Sequence, residues 1–74
     1  MNNLTWSFAC AAYRARVAKG FSQEKVAELT GISTGWYQRI EKGMVNASLA
    51  ICLRIAMVLG IDLNQLDPDY PNCG

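Results

Sequence analysis

Glycines divide the chain into segments of helical length. They recur at Gly20, Gly31, Gly43 and Gly60, and between them apolar residues repeat with a helical period. Glycine adopts the left-handed backbone conformation that ends many helices. The alternation of apolar and polar residues that is typical of strands is missing. For a chain of 74 residues, this pattern predicts one all-α domain built from short helices.

Residues whose side chains cap helices stand before these segments. The predicted N-caps are Thr5, Ser22, Ser33, Ser48 and Asp62. The predicted helices span about residues 5–18, 23–30, 34–42, 49–59 and 63–66. Pro68 stops the last of them. We therefore predict a compact five-helix domain over residues 1–66 and a short extended tail over 67–74.

The cysteines and the apolar segments argue against several classes of protein. Cys10, Cys52 and Cys73 are far apart, and the chain has no histidine. We therefore expect no zinc site, no disulfide framework, no cofactor and a reducing, cytoplasmic environment. The longest apolar stretch, LAICLRIAMVLGI, contains Arg54 and is too short to span a bilayer. The N-terminus has no signal-peptide pattern, so we expect no membrane association.

The second and third predicted helices are separated by only about three residues. Ala27 is small enough for a close helix crossing, and Gly31 tolerates the positive φ that a sharp turn requires. Ile32, Tyr37 and Ile40 direct the apolar side of the third helix back to the core. This spacing predicts a helix-turn-helix unit.

At the level of whole segments, the sequence resembles the phage repressor and Cro type of helix-turn-helix domain, often called the Xre family. The matching segments are YRARVAKGFSQEKVAELTGIS, IEKG and SLAICLRIAMVLGIDLNQL, within about residues 8–66. The resemblance implies a lambda-repressor-like fold. It also implies a sequence-specific regulator of transcription that binds double-stranded DNA and places its third helix in the major groove.

Polar residues occupy one side of the third helix. At about 100° per residue, Gly35, Gln38, Arg39 and Lys42 lie opposite Tyr37. Arginine can form a bidentate pair with guanine and glutamine with adenine. The resemblance implies base contacts at Thr34, Gly35, Gln38 and Arg39, and phosphate contacts at Gln23, Ser33 and Lys42. Trp36 lies on the flank of the helix. Its side chain is expected either to pack in the core or to contact the DNA backbone, and the sequence does not decide between the two.

Two charged residues fall in places where the family has an ion pair. Glu41 lies on the inner side of the third helix, where an unpaired carboxylate is costly to bury. The resemblance implies that Arg16 pairs with it and so ties the first helix to the third. Two separate, solvated charges are the alternative.

The chain carries more apolar residues than the expected core needs. By resemblance, a homodimer interface is predicted at Ile51, Met57, Val58, Ile61 and Leu63. A second apolar stripe, suited to a different protein partner, comprises Trp6, Cys10, Tyr13 and Val17. Such a surplus often marks an interface. The alternative is a wide core face covered by the tail.

Some features favour a different function on the same fold. The net charge is only +1, and the segment after the third helix, MVNA, lacks the basic residues that the family commonly has there. An antitoxin or accessory subunit that binds a protein is therefore the alternative to a DNA-binding regulator. An enzyme has little support, since no base accompanies a serine or cysteine nucleophile and no phosphate-binding glycine loop occurs.

Overall fold

The structure, a computed structural model, describes residues 3–65. Its α-helices are α1 (Asn3–Lys19), α2 (Gln23–Thr30), α3 (Thr34–Glu41) and α4 (Leu49–Leu59), followed by a 3₁₀ turn at Leu63–Gln65. Within these residues there is no strand, so the all-α prediction is confirmed. The predicted fifth α-helix is not confirmed, because only the three-residue 3₁₀ turn occupies its place. The predicted tail lies outside the described residues.

Serine side chains begin three of the helices as predicted. Ser22, Ser33 and Ser48 have extended backbones, and each hydroxyl accepts a hydrogen bond from the backbone N–H three residues further on, at 3.0–3.3 Å. Each bond satisfies one of the donors that a helix leaves free at its start. Thr5 is not an N-cap, because α1 begins at Asn3 and Thr5 lies within its first turn.

One cluster of buried side chains joins all four helices. It comprises Phe8, Ala12, Val26, Ala27, Tyr37, Ile40, Ile55 and Leu59. On α2, Leu29 is exposed, whereas Thr30 is buried. Leu29 lies about 200° around the helix from Ala27, and so on the opposite side. The Thr30 hydroxyl donates to the Val26 carbonyl at 2.8 Å, which compensates for its burial.

In α4 and the segment after it, the buried and exposed apolar residues differ from those predicted. Ile51, Val58, Ile61 and Leu63 are partly buried against the core of their own chain. Of the five residues predicted for a dimer interface, only Met57 is fully exposed. The exposed apolar residues of α4 are instead Leu49 at 71%, Leu53 at 45% and Met57 at 83%. They follow one another at every fourth position and form a single line, which we call the α4 stripe.

Cys10 differs from the sequence prediction in two respects. Cys10 is buried, so it cannot contribute to the exposed stripe predicted on α1, and it is disulfide-bonded although no disulfide was expected. Cys52 is a free thiol. Burial raises the pKa of Cys52.

No helix among residues 3–65 is both long enough and apolar enough to cross a membrane.

Candidate nucleic-acid interface

A tight turn sets the direction of α3 relative to α2. Gly31 has a φ of 75°, and its N–H and that of Ile32 donate to carbonyls in the last turn of α2, at 3.3 and 3.0 Å. Only glycine reaches this backbone conformation without strain. Ser33 then begins α3, whose inner residues Tyr37 and Ile40 are buried in the core. The opposite side of α3 is thereby held away from the domain.

That opposite side is what we call the outward face of α3, and it comprises Gly35, Gln38, Arg39 and Lys42. Gly35, Arg39 and Lys42 are exposed, and Gln38 is half-buried. Ser33 is also exposed at the start of the helix, and Thr34 is half-buried beside it. The residues expected to contact bases therefore share one accessible surface with those expected to contact phosphates, apart from Gln23, which belongs to α2.

A chain of hydrogen bonds connects Gln23 to this face. The Gln38 side-chain amide donates to the Gln23 side-chain carbonyl at 3.2 Å, and the Gln23 amide donates to a Glu41 carboxylate oxygen at 3.3 Å. One N–H of Gln38 is used within the protein, and its carbonyl oxygen and second N–H stay available. An adenine edge requires one acceptor and one donor. The hydrogen bond to Gln23 thus leaves Gln38 one donor and one acceptor of this kind.

An ion pair lies at the inner end of this chain of bonds. The Arg16 guanidinium donates to both Glu41 oxygens, at 2.8 and 3.0 Å, and to the Phe21 carbonyl at 2.9 Å. The side chains of Arg16 and Glu41 are only 15% and 5% exposed. The hydrogen bond to Glu41 raises the pKa of Arg16, against the opposing effect of burial. The structure thus joins α1 to α3 through a bidentate pair, the stronger geometry for such ions.

The Tyr37 hydroxyl lies in the same inner region but is not part of this network. It is fully buried, and the described residues offer it no hydrogen-bond partner of good geometry. Burial raises the pKa of Tyr37 well above its usual range, and the nearby Glu41 carboxylate acts in the same direction. Both effects favour the neutral hydroxyl.

The surroundings of the outward face are less polar than the face itself. The Trp36 ring is 38% exposed, too much for a core residue, so it is available on the flank of α3. In the loop between α3 and α4, Met44 is exposed, and the Thr5 hydroxyl donates to the Asn46 side-chain oxygen. Trp6 lies against Gly43, where a Cβ atom would be 3.1–3.3 Å from ring atoms of the tryptophan. These contacts join the start of α1 to the loop without adding a cation.

Sequence reasoning missed two features of this region. The bonds from Gln23 to Gln38 and Glu41 cross between helices, and no spacing along one helix reveals them. The α4 stripe had a signal, since Leu49, Leu53 and Met57 are spaced at four residues. Among the described residues, no three potential metal ligands come together.

Comparison with known proteins identifies this arrangement. A family model described as helix-turn-helix matches residues 13–66. The chain belongs to the helix-turn-helix family. Within it, the chain is of the phage repressor and Cro (Xre) type, as the sequence segments indicated. The family and the similar structures, a controller protein and a gene regulator, support a DNA-binding regulatory protein and not an enzyme.

Solved structures of helix-turn-helix proteins are similar over most of the chain. The restriction-modification controller protein C.AhdI from Aeromonas hydrophila is 33% identical, with a TM-score of 0.75 over 85% of this chain and 96% of that chain. Two structures of the clp gene regulator ClgR from Corynebacterium glutamicum are 22% identical, with TM-scores of 0.78 and 0.76. They cover 85% of this chain and 67% and 82% of theirs, and they show the shared fold. No curated protein sequence matches the chain.

Proposed function

We propose that this helix-turn-helix protein is a sequence-specific, DNA-binding regulator of transcription that places α3 in the major groove. The observation that carries the proposal is the outward face of α3, which exposes Arg39 and Lys42 beside an oriented Gln38. A major groove about 12 Å wide admits one α-helix, and its base edges offer the donors and acceptors that such side chains read. Repressor-type helix-turn-helix domains bind in this way.

Reading and positioning are divided among the residues of this face. Arg39 reads guanine through a bidentate pair, and Gln38 reads adenine. Thr34 offers a methyl group to thymine. Gln23, Ser33 and Lys42 contact phosphates and fix the register, helped by the free backbone amides at the starts of α2 and α3. Trp36 contacts the sugar-phosphate backbone from the flank, because its ring is exposed there.

We propose further that the regulator acts as a symmetric homodimer. One domain of net charge +1 gains little from phosphate attraction, so a single copy would bind weakly. Two copies whose recognition helices lie about 34–36 Å apart contact successive turns of the major groove. The dimer would bind two half-sites and roughly double the contact energy, less the cost of association.

The α4 stripe is the surface that fits this dimer best. Leu49, Leu53 and Met57 extend over about 12 Å of helix at 1.5 Å per residue. A two-fold interface is self-complementary, so apolar residues near its axis pack against their own copies. Of the patch predicted from the sequence, Met57 belongs to this surface. Ile51 and Val58 are already half-buried against the core of their own chain.

Selection from a random double-stranded DNA library tests the proposal, followed by salt titration of the selected sequence. We expect an enriched site with two half-sites related by two-fold symmetry. We also expect affinity to fall with salt by several powers of ten per decade, since the slope counts the phosphates contacted. A library that yields no enriched sequence would overturn the assignment of α3 as a recognition helix.

A protein-interaction module, such as an antitoxin or accessory subunit, is the second candidate. It is favoured by Tyr13 and Val17, which are exposed on α1 away from the outward face of α3. Trp6 is half-buried against Gly43 and Cys10 is buried, so this surface is smaller than the sequence predicted. A variant with Glu at both Tyr13 and Val17 that still represses or activates its selected site would argue against this candidate.

A further inference from the structure

Gly35 differs from every other glycine of residues 3–65. Gly20, Gly31, Gly43 and Gly60 all have φ between 69° and 75°, where other residues are strained. Gly35 does not have a positive φ and lies within α3. Its backbone conformation is therefore open to any residue that forms helices, and the turn argument that explains the other glycines does not apply to it.

Packing does not explain Gly35 either. Apart from the two chain neighbours and the backbone of α3 itself, no heavy atom of the described residues lies within 4 Å of a Cβ atom built there. In a helix, glycine is less favourable than alanine because its backbone loses more conformational freedom. Because α3 has only eight residues, this cost falls on the element that orients the whole outward face. Neither the backbone nor the neighbours of Gly35 within the protein compensate for it.

Gly35 lies in the middle of the outward face of α3, so the space that a side chain would fill is there. Gln38 and Arg39 follow it by three and four residues and lie on the same side of α3. Helical side chains lean toward the N-terminus, so both extend alongside Gly35. Neither side chain comes within 4 Å of the position of the missing Cβ, which faces open space. The outward face therefore has bare backbone beside the two residues proposed to read bases, and we call this bare backbone the notch.

We propose that Gly35 is a specificity-determining residue whose missing side chain receives the C5-methyl group of a thymine. This inference rests on the proposed function. The thymine methyl is the apolar group that projects from a base pair into the major groove. The notch lets α3 approach this methyl while Gln38 and Arg39 reach the neighbouring base pairs. A side chain at residue 35 would occupy the same space and hold the helix away from the DNA.

The proposal is tested with Gly35→Ala and with duplexes in which each thymine of the selected site is replaced in turn by uracil, which lacks only the methyl group. Gly35→Ala should raise the denaturant midpoint, because alanine favours the helix. The same variant should bind the selected thymine duplex at least about tenfold more weakly than wild type. On the duplex with uracil at the contacted position, most of that loss should disappear, since the alanine methyl replaces the missing thymine methyl.

The matched control is a non-specific duplex, on which Gly35→Ala should lose less affinity relative to wild type than it loses on the selected thymine duplex. Equal affinity of both proteins for the thymine duplex would overturn the inference. So would a loss that is the same on thymine and uracil duplexes. These two results leave the proposed function intact, whereas a wild type that selects no sequence at all overturns both.

Discussion

The outward faces of α3 and α4 differ in chemistry although both helices bury their inner sides in the same core. On the outward face of α3, the exposed Arg39 and Lys42 are charged, and Gln38 is connected through Gln23 to the buried Glu41. On α4, the exposed line is apolar and runs from Leu49 to Met57. The described residues record no comparable bonds from the α4 stripe to the rest of the domain. The first surface suits a polar ligand of fixed geometry, and the second suits an apolar partner.

This difference shows which of the two surfaces needs its side chains held in precise positions by the rest of the fold. A polar reading face must be held within small tolerances, because hydrogen bonds to base edges are directional. The network beneath α3 supplies that constraint. Apolar contact has no such directional requirement and follows the area removed from water. Changes at the inner end of the network should therefore affect folding, whereas changes on the α4 stripe should affect only association.

The largest expected effect is at the ion pair. Arg16→Met leaves the Glu41 carboxylate buried without its partner, which costs about 3–5 kcal/mol and comes close to unfolding a domain of this size. Chemical denaturation of the single variants and of the double variant with Glu41→Gln measures the coupling between them. We expect a coupling above about 1 kcal/mol. A coupling near zero would mean that the two charges act independently.

The next effect is at the α4 stripe. Met57→Glu should place like charges across the two-fold axis and weaken dimerisation about 100-fold, or about 2.7 kcal/mol. Sedimentation measures the dimer, and circular dichroism should show unchanged helix content. Val17→Glu is the matched control, with the same change of charge on the exposed part of α1. A wild type that stays monomeric at tens of micromolar, with and without DNA, refutes the dimer itself.

Within the outward face of α3, variants should separate the residue that contacts bases from the residue that contacts phosphates. Arg39→Ala should cost about 1–3 kcal/mol on the selected site and relax the preference at one base pair. Lys42→Ala should weaken binding to all sequences alike and lower the salt slope by about one per subunit. Titrations against selected and non-specific duplexes compare the two variants. If both lose affinity uniformly, Arg39 contacts only phosphate.

The smallest effect is expected at the buried Tyr37 hydroxyl. Tyr37→Phe removes a polar group that has no partner among the described residues, so stability should stay constant or rise by up to about 1 kcal/mol. Equilibrium denaturation measures the change. A clear loss of stability would show that the hydroxyl is hydrogen-bonded in solution, either to Glu41 or to a trapped water, and would extend the polar network into the core.

The sequence by itself determined the helices and the turn between α2 and α3. Serine caps and glycine ends act within a few residues of the chain, so Ser22, Ser33 and Gly31 specify local structure wherever the segment lies. The helical period likewise predicted that Tyr37 and Ile40 face inward. The predicted fifth α-helix was not confirmed, because a segment of three or four residues forms too few internal hydrogen bonds to stabilise an α-helix.

Only the tertiary structure decided which surfaces remain free. Helical period assigns residues to a side of a helix, but the neighbouring helices determine how much of that side is covered. Ile51 and Val58 looked surplus and proved to pack on the core, whereas Leu49 and Leu53 are exposed beside Met57. The same holds for the space at Gly35 and for the bonds that orient Gln38. These features depend on distances between residues far apart in the chain, which packing fixes and local sequence does not.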